Sequence, residues 1–299
     1  MKPSIRGIWP VLVMPFLDNG EIDEFSLRKE IDYVIERRAD GVVIFGLASE
    51  IYKFSDQERR RVIEVVVRHT EGRVPVIAGT EHSGTEKAAE RSYEAQELGV
   101  SAVMVYPPSF VKPDRDNIIE YYGQIADRVN IPVMIQDAQS WTQVPLPVDL
   151  LLEINRMFPV VNHVKIETLP TGPKISRVLE ASAGQIGVMA GYGGLHYFEE
   201  MLRGAEGTLI PPAICEWFVE MDRSYRAGNA NEAFQLYSRY LPFLLFEMGS
   251  LDMLMEIQKI LFQKAGIFKT AVMRKPHTPM DNIQYGQLHE LAKRFGLQI

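Results

Sequence analysis

Val160-Val161-Asn162-His163-Val164-Lys165-Ile166-Glu167 reads as a short buried strand, β-branched and apolar along most of its length. It is the sixth of eight such runs. The others cover residues 8–14, 41–45, 75–78, 102–106, 132–135, 186–190 and 207–210. Several are apolar at consecutive positions, the pattern of a strand covered on both faces. Helix-period segments lie between them, among them 25–38, 85–98 (followed by Gly99, a residue type that ends helices) and 118–129, which stops before Asn130-Ile131-Pro132. Strand–helix alternation repeated eight times predicts an α/β chain closed into a (β/α)8 barrel, not an open doubly wound sheet. The turn after the first strand, Pro15-Phe16-Leu17-Asp18, carries neither a GxGxxG nor a Walker A phosphate loop.

After about residue 226 the strand pattern stops, and 229–247, 250–264 and 285–295 read as helices. The expected organisation is a catalytic barrel over residues 1–226 and a helical appendage over 227–299. Arg226-Ala227-Gly228-Asn229 forms the turn between them.

The 299 residues are 46% hydrophobic and 24% charged, with a net charge of −7. A nucleic-acid partner would favour a basic face, so none is expected. Arg59-Arg60-Arg61 follows the capping-box pattern Ser55-Asp56-Gln57-Glu58 and reads as a solvated helix face. Cys215 is the only cysteine. That excludes an intrachain disulfide and fits a reducing cytoplasm. With no second cysteine, and no HExxH spacing among six histidines, no metal site is expected. The N-terminus lacks a long apolar stretch, so no signal peptide is expected. The apolar segment 241–262 contains Glu247, Asp252, Glu256 and Lys259. It reads as packed amphipathic helices and not as a membrane span.

Barrel enzymes carry their chemistry at the C-terminal ends of the strands. Here those ends read Gly46-Leu47-Ala48-Ser49-Glu50, Gly79-Thr80-Glu81-His82, Tyr106-Pro107-Pro108-Ser109, Gln136-Asp137-Ala138-Gln139, Lys165-Ile166-Glu167 and Gly191-Tyr192-Gly193-Gly194. Burying an ammonium disfavours its charged form, and a neutral amine is what attack on a ketone requires. The other reading of Lys165 is a strand-end lysine that reaches water or pairs with Glu167. Residues two apart in a strand share a face, so His163, Lys165 and Glu167 should point together toward the barrel interior. An amine beside a carboxylate can form a carbinolamine and then an iminium, with protons moved by the carboxylate. Lys165, Glu167 and Gln136 are the candidate catalytic residues. Ser49, Glu50, His82, Asp137, Gly191 and Tyr192 are candidate substrate contacts. Ser49 and Glu50 also fit a helix cap, and His82 fits a structural loop residue. The glycines 191, 193 and 194 fit either a simple turn or a close backbone approach to substrate.

Gly7-Ile8-Trp9-Pro10-Val11, residues 46–50, Ser55-Asp56-Gln57-Glu58-Arg59, Pro75-Val76-Ile77-Ala78-Gly79-Thr80, Val105-Tyr106-Pro107-Pro108 and Lys165 resemble the dihydrodipicolinate synthase / N-acetylneuraminate lyase family over nearly the whole chain. The resemblance implies a barrel lyase whose Lys165 forms a Schiff base with a small 2-keto acid, needing no cofactor, in a homotetramer or dimer. The sequence departs from the synthase and lyase branches. Those carry Gly-Thr-Thr-Gly-Glu or Gly-Ser-Thr-Gly-Glu after strand two, where Ser49 is here the remaining hydroxyl. They end strand five in Tyr-Asn, where Gln136-Asp137 stands here, and Trp141 and Ser109 replace an arginine and a second tyrosine. Ile135-Gln136-Asp137-Ala138, Lys165-Ile166-Glu167-Thr168, Ser49-Glu50 and His82 are similar instead to the L-2-keto-3-deoxyarabonate dehydratase branch, although Gly191-Tyr192-Gly193-Gly194 replaces that branch's more acidic loop.

Three functions follow. The first is a Schiff-base hydro-lyase acting on a 2-keto-3-deoxy sugar acid. The second is an aldolase releasing pyruvate from the same substrates. The third is a catalytically silent keto-acid-binding homologue.

Overall fold

A computed structural model describes residues 5–297. Eight parallel strands form one sheet in the order β1-β8-β7-β6-β5-β4-β3-β2, a nearly closed (β/α)8 barrel. They are β1 (Gly7–Pro10), β2 (Val42–Ile44), β3 (Val76–Gly79), β4 (Ala102–Val105), β5 (Val133–Asp137), β6 (Val161–Ile166), β7 (Gly187–Ala190) and β8 (Gly207–Ile210). The helices between them are α1 (Glu24–Glu36), α2 (Asp56–Thr70), α3 (Thr85–Glu97), α4 (Arg115–Ala126), α5 (Gln139–Thr142), α6 (Val148–Met157), α7 (Thr171–Ala181) and α8 (Tyr197–Leu202). After β8 come α9 (Cys215–Arg226), α10 (Ala230–Glu247), α11 (Leu251–Lys264) and α12 (Asn282–Phe295). No helix among the described residues is long and apolar enough to cross a membrane.

Each expected strand is present, with shorter bounds at several ends. The first was expected to reach residue 14 and stops at Pro10. Beyond it a single bridge pairs Val11 with Val43, and the Val11 amide donates to the Ile210 carbonyl (2.8 Å). The Leu12 amide donates to the Val43 carbonyl (2.8 Å), whereas the Val13 amide donates to the Glu30 carboxylate (2.9 Å). A side chain thus replaces a ladder bond, and regular pairing ends there.

The chain divides into two compact units, one holding the residues up to Gly7 with Pro75–Leu209, the other Ile8–Val74 with the chain from Ile210 onward. In the first, β3 to β7 pair in succession, with one register shift between Val133 and Met134 where β5 meets β6. Gln136 lies opposite Lys165, Asp137 opposite Ile166, and Lys165 opposite Met189. The strands are buried at nearly every position, as sheets covered on both faces are.

In the second unit, β1 and the start of β2 pack closely. A Cβ on Gly41 would stand 2.1 Å from the buried Trp9 ring, so only glycine admits that indole. Trp217 stacks on Tyr240 with ring centroids 4.1 Å apart, and Phe243 and Phe295 meet the same indole. The capping box at Ser55 and Glu58 starts α2 as its sequence pattern indicates. The arginine run that follows is not uniformly solvated. Arg60 and Arg61 are half-exposed, but Arg59 is buried with its guanidinium 4.5 Å from the Phe45 ring centroid. Three consecutive helical residues are spread over about 200° of the surface, so one of them had to face inward.

Candidate active site

The first unit brings Lys165, Glu167, Gln136, Gly191 and Tyr192 together. Lys165 Nζ lies 3.0 Å from Glu167 Oε1, and both side chains are almost wholly buried. Gln136 Nε2 donates to Glu167 Oε2 at 2.7 Å. The carboxylate requires a donor, which fixes the orientation of the carboxamide. The Tyr192 main-chain amide donates to Glu167 Oε1 at 3.0 Å. Glu167 therefore accepts from an amine, a carboxamide and a peptide N–H, which satisfy its carboxylate in a buried position.

Backbone geometry at the end of β7 makes this possible. Tyr192 adopts a left-handed conformation (φ 54°), uncommon for a bulky residue, and so turns its N–H toward Glu167. Gly191 is required for room. A Cβ there would lie 2.5 Å from Glu167 Cγ and 2.7 Å from Lys165 Cε, far inside van der Waals contact. This glycine's role is close packing against the amine–carboxylate pair.

Asp137 takes a different place from Gln136. Successive strand residues face opposite ways. Gln136 meets Glu167, and Asp137 meets α7, where its Oδ2 lies 2.6 Å from Lys174 Nζ. Its Oδ1 accepts from the Thr168 hydroxyl at 2.8 Å, and its main-chain carbonyl accepts from the Glu167 amide at 3.0 Å. Burial raises the Asp137 carboxyl above its ordinary range, with Lys174 opposing that shift. Its side chain is thus engaged by protein groups on the side away from Lys165. His163 is half-buried, and its ring stands over Gly187 beside Glu206. Burial lowers it to about 4, so the ring is neutral near pH 7.

His82 lies in the exposed loop after β3. The Gly84 amide donates to its Nδ1 at 2.9 Å, so in the neutral ring the proton sits on Nε2. The Tyr121 hydroxyl donates to the His82 carbonyl at 3.1 Å and holds the loop from behind.

Ser49 and Glu50 belong to the second unit, and both are fully buried there. The Ser49 hydroxyl donates to the Leu12 carbonyl at 2.6 Å. Glu50, left-handed at φ 57°, accepts from Lys259 Nζ, from Lys53 Nζ (2.8 Å) and from the Arg274 amide (3.1 Å). Lys259 also donates to the Val272 carbonyl at 2.9 Å and faces the Phe16 ring; burial lowers it to about 8. These two residues are held by protein partners and tie the loop after β2 to the segment around residue 272.

Three contributors escaped the sequence reading: the Tyr192 peptide N–H, Lys174 and Lys259. A main-chain donor leaves no residue-type signal. Lys174 did leave one, since it falls on the buried stripe of α7 with Thr171, Ile175 and Val178. A lysine on an apolar helix face calls for a buried partner. Among the described residues, no group of three or more histidines, cysteines, aspartates or glutamates is placed to hold a metal ion.

Comparison with known proteins adds a family to this geometry. The model of the dihydrodipicolinate synthetase family matches residues 4–295. The chain belongs to that family. Its members are lyases, and this chain is an enzyme of that class. It is 29% identical to the L-2-keto-3-deoxyarabonate dehydratase of Azospirillum brasilense, over 98% of this chain and 95% of that protein. It is 30% identical to a 4-hydroxy-tetrahydrodipicolinate synthase of Methanococcus maripaludis, over 80% of this chain and 82% of that one. A solved dihydrodipicolinate synthase superposes with a TM-score of 0.91 at 25% identity, covering 98% of this chain and 99% of the other. The Aquifex aeolicus dihydrodipicolinate synthase gives 0.92 at 23% identity, over 99% of both chains, a likeness of fold.

Proposed function

We propose that this family lyase is a Schiff-base hydro-lyase acting on a 2-keto-3-deoxy sugar acid. The observation that carries the reading is the Lys165–Glu167 contact of 3.0 Å with Gln136, a group neither acidic nor basic near neutral pH, as the third member. A proton passed from Lys165 Nζ to Glu167 Oε1 leaves a neutral amine. The amine adds to the C2 ketone, and the carbinolamine hydroxyl leaves as water with the proton that Glu167 returns, which gives the iminium, acidifies C3 and leaves Glu167 a carboxylate again. Glu167 remains beside Nζ and takes the C3 proton, forming an enamine. The enamine expels the C4 hydroxyl, which leaves with a proton as water. Hydrolysis of the remaining iminium frees Lys165. Retro-aldol cleavage would instead need a base at the C4 hydroxyl. Gln136 cannot supply one, and the elimination reading is preferred on that ground. A sugar acid with one carboxylate also suits the position of Trp141, half-exposed after β5, which offers no guanidinium fork to a second carboxylate.

We further infer a cytoplasmic homo-oligomer, a tetramer or dimer. A single buried cysteine, pushed up to about 12 by burial, suits a reducing compartment.

Borohydride in the presence of pyruvate should reduce a covalent adduct on Lys165, read by peptide mass spectrometry. Glu167→Gln should keep that adduct while turnover falls about 10²-fold or more. Across a panel of 2-keto-3-deoxy acids, the product should be the dehydrated semialdehyde. An adduct that persists in Lys165→Ala would overturn the Schiff-base step. Pyruvate as the main product from every acid would replace the dehydratase by an aldolase.

A further inference from the structure

Buried Asp137 and Lys174 and half-buried Thr168 form a cluster directly behind Glu167, and the reaction just described leaves it unused. Asp137 is 0% exposed and Lys174 7%. A buried ion pair at 2.6 Å between a strand end and a helix is weak grounds for stability, because desolvating both ions offsets most of their attraction. Such a pair can be kept for the geometry it imposes. Here the geometry bears on one residue. The Asp137 main-chain carbonyl accepts the Glu167 amide at 3.0 Å and also receives the Thr168 hydroxyl at 3.2 Å. The Asp137 carboxylate accepts the same hydroxyl at 2.8 Å. Glu167 lies just past the last residue of β6, where the ladder no longer holds the chain. Its backbone is held instead by Asp137, once directly and once through its neighbour Thr168. Lys174, projecting from the first turn of α7, fixes the carboxylate that does this.

We propose that Asp137, Lys174 and Thr168 are positioning residues that set the Glu167 carboxylate against Lys165, Lys174 acting by keeping Asp137 an acceptor for Thr168. The proposal rests on the reading of Glu167 as the base. Its physical core is a donor–acceptor polarity. An ionised carboxylate only accepts, so the Thr168 hydroxyl must donate to it. Burial already favours the protonated Asp137, and Lys174 opposes this. Without the ammonium, burial drives the Asp137 carboxyl further toward its protonated form, whose O–H competes for the geometry that Thr168 uses. The end of β6 then loses one of its two restraints. Displacement of a base by about 1 Å costs on the order of 10²-fold in rate.

The test uses the full-length enzyme and three variants. The readouts are exchange of the methyl protons of pyruvate for deuterium, borohydride trapping on Lys165, and kcat and KM on a 2-keto-3-deoxy acid. Thr168→Val cuts the link and leaves the Asp137–Lys174 pair intact. It should lower exchange and kcat about 10-fold to 100-fold, with trapping retained and KM changed less than about 3-fold. Lys174→Met should do the same with a lower melting temperature. Asp137→Asn combined with Lys174→Met restores a neutral acceptor for Thr168 without a buried charge. It should recover the melting temperature and raise kcat at least about 10-fold over Lys174→Met alone. Thr168→Val exchanging and turning over like the wild type would overturn the proposal, as would a double variant no faster than Lys174→Met. Failure of the underlying reading looks different, since Glu167→Gln would then exchange and turn over like the wild type.

Discussion

Gly191→Ala adds one methyl group at the point where the site has no space. The added Cβ would stand 2.5 Å from Glu167 Cγ, 2.7 Å from Lys165 Cε and 2.9 Å from Glu167 Cδ. Carbon atoms in contact sit about 3.5–4.0 Å apart, so the side chains must part by roughly 1 Å. Neither can swing away freely. Glu167 is tied to Gln136 at 2.7 Å and to the Tyr192 amide at 3.0 Å, and the Lys165 amine to Glu167 at 3.0 Å. A 1 Å shift turns the last contact into one of about 4 Å, beyond hydrogen-bond range. The φ of Gly191 is −147°, so alanine meets no left-handed strain and the effect is one of space alone. Overpacking of this kind costs about 1–3 kcal/mol of stability. The misplaced pair should cost about 10²-fold in kcat. Steady-state turnover, borohydride trapping and a thermal melt measure both effects. Gly184→Ala is the contrast. Gly184 has φ 75° and nothing within 4 Å of an added Cβ, so it should lose about 1–2 kcal/mol of stability and no turnover. Wild-type kcat and trapping in Gly191→Ala would refute the claim that this glycine exists to let the amine and carboxylate pack.

Two further predictions concern the second unit. Glu247 is fully buried, accepts from Gln258 at 2.8 Å, and is pushed up to about 8 by burial. The folded state therefore keeps a proton that the unfolded chain releases near 4.5, so stability is greatest below pH 4.5 as far as this group is concerned and falls as pH rises toward 8. The loss should reach several kcal/mol between pH 5 and 8 in urea unfolding, at about 1.4 kcal/mol per pH unit. Glu247→Gln should flatten it, and an equal slope in that variant would contradict the assignment. Lys259→Met removes one cation from buried Glu50 and should cost about 3–5 kcal/mol, seen as a lower urea midpoint with unchanged slope; an unchanged midpoint would show that Lys53 and the Arg274 amide suffice.

The barrel was legible in the sequence because its signal is periodic. Each strand is a short apolar run and each helix an amphipathic one, and eight repeats leave few ways to close the chain. The exceptions have local causes. The first strand falls short of residue 14 because the Val13 amide goes to the Glu30 side chain instead of to a neighbouring strand. The arginine run splits between water and core because a helix turns 100° per residue.

Within the site, the sequence by itself determined the amine and its carboxylate. Lys165 on β6 and Glu167 just past its end stand two apart along one extended run, and alternation puts them on one face whatever surrounds them. Adjacency likewise put Gln136 and Asp137 on opposite faces, but not which of them would look inward. The tertiary structure decided that, giving Gln136 to Glu167 and Asp137 to Lys174, 37 residues further on. It also turned Ser49 and Glu50 toward the Leu12 carbonyl, Lys53, Lys259 and the Arg274 amide, and made Gly191 a matter of space. The physical reason is common to these cases. A side chain's facing is a local property of backbone period, while its partner is set by what the rest of the chain brings within 3 Å, and a buried polar group is held by whichever partner satisfies it.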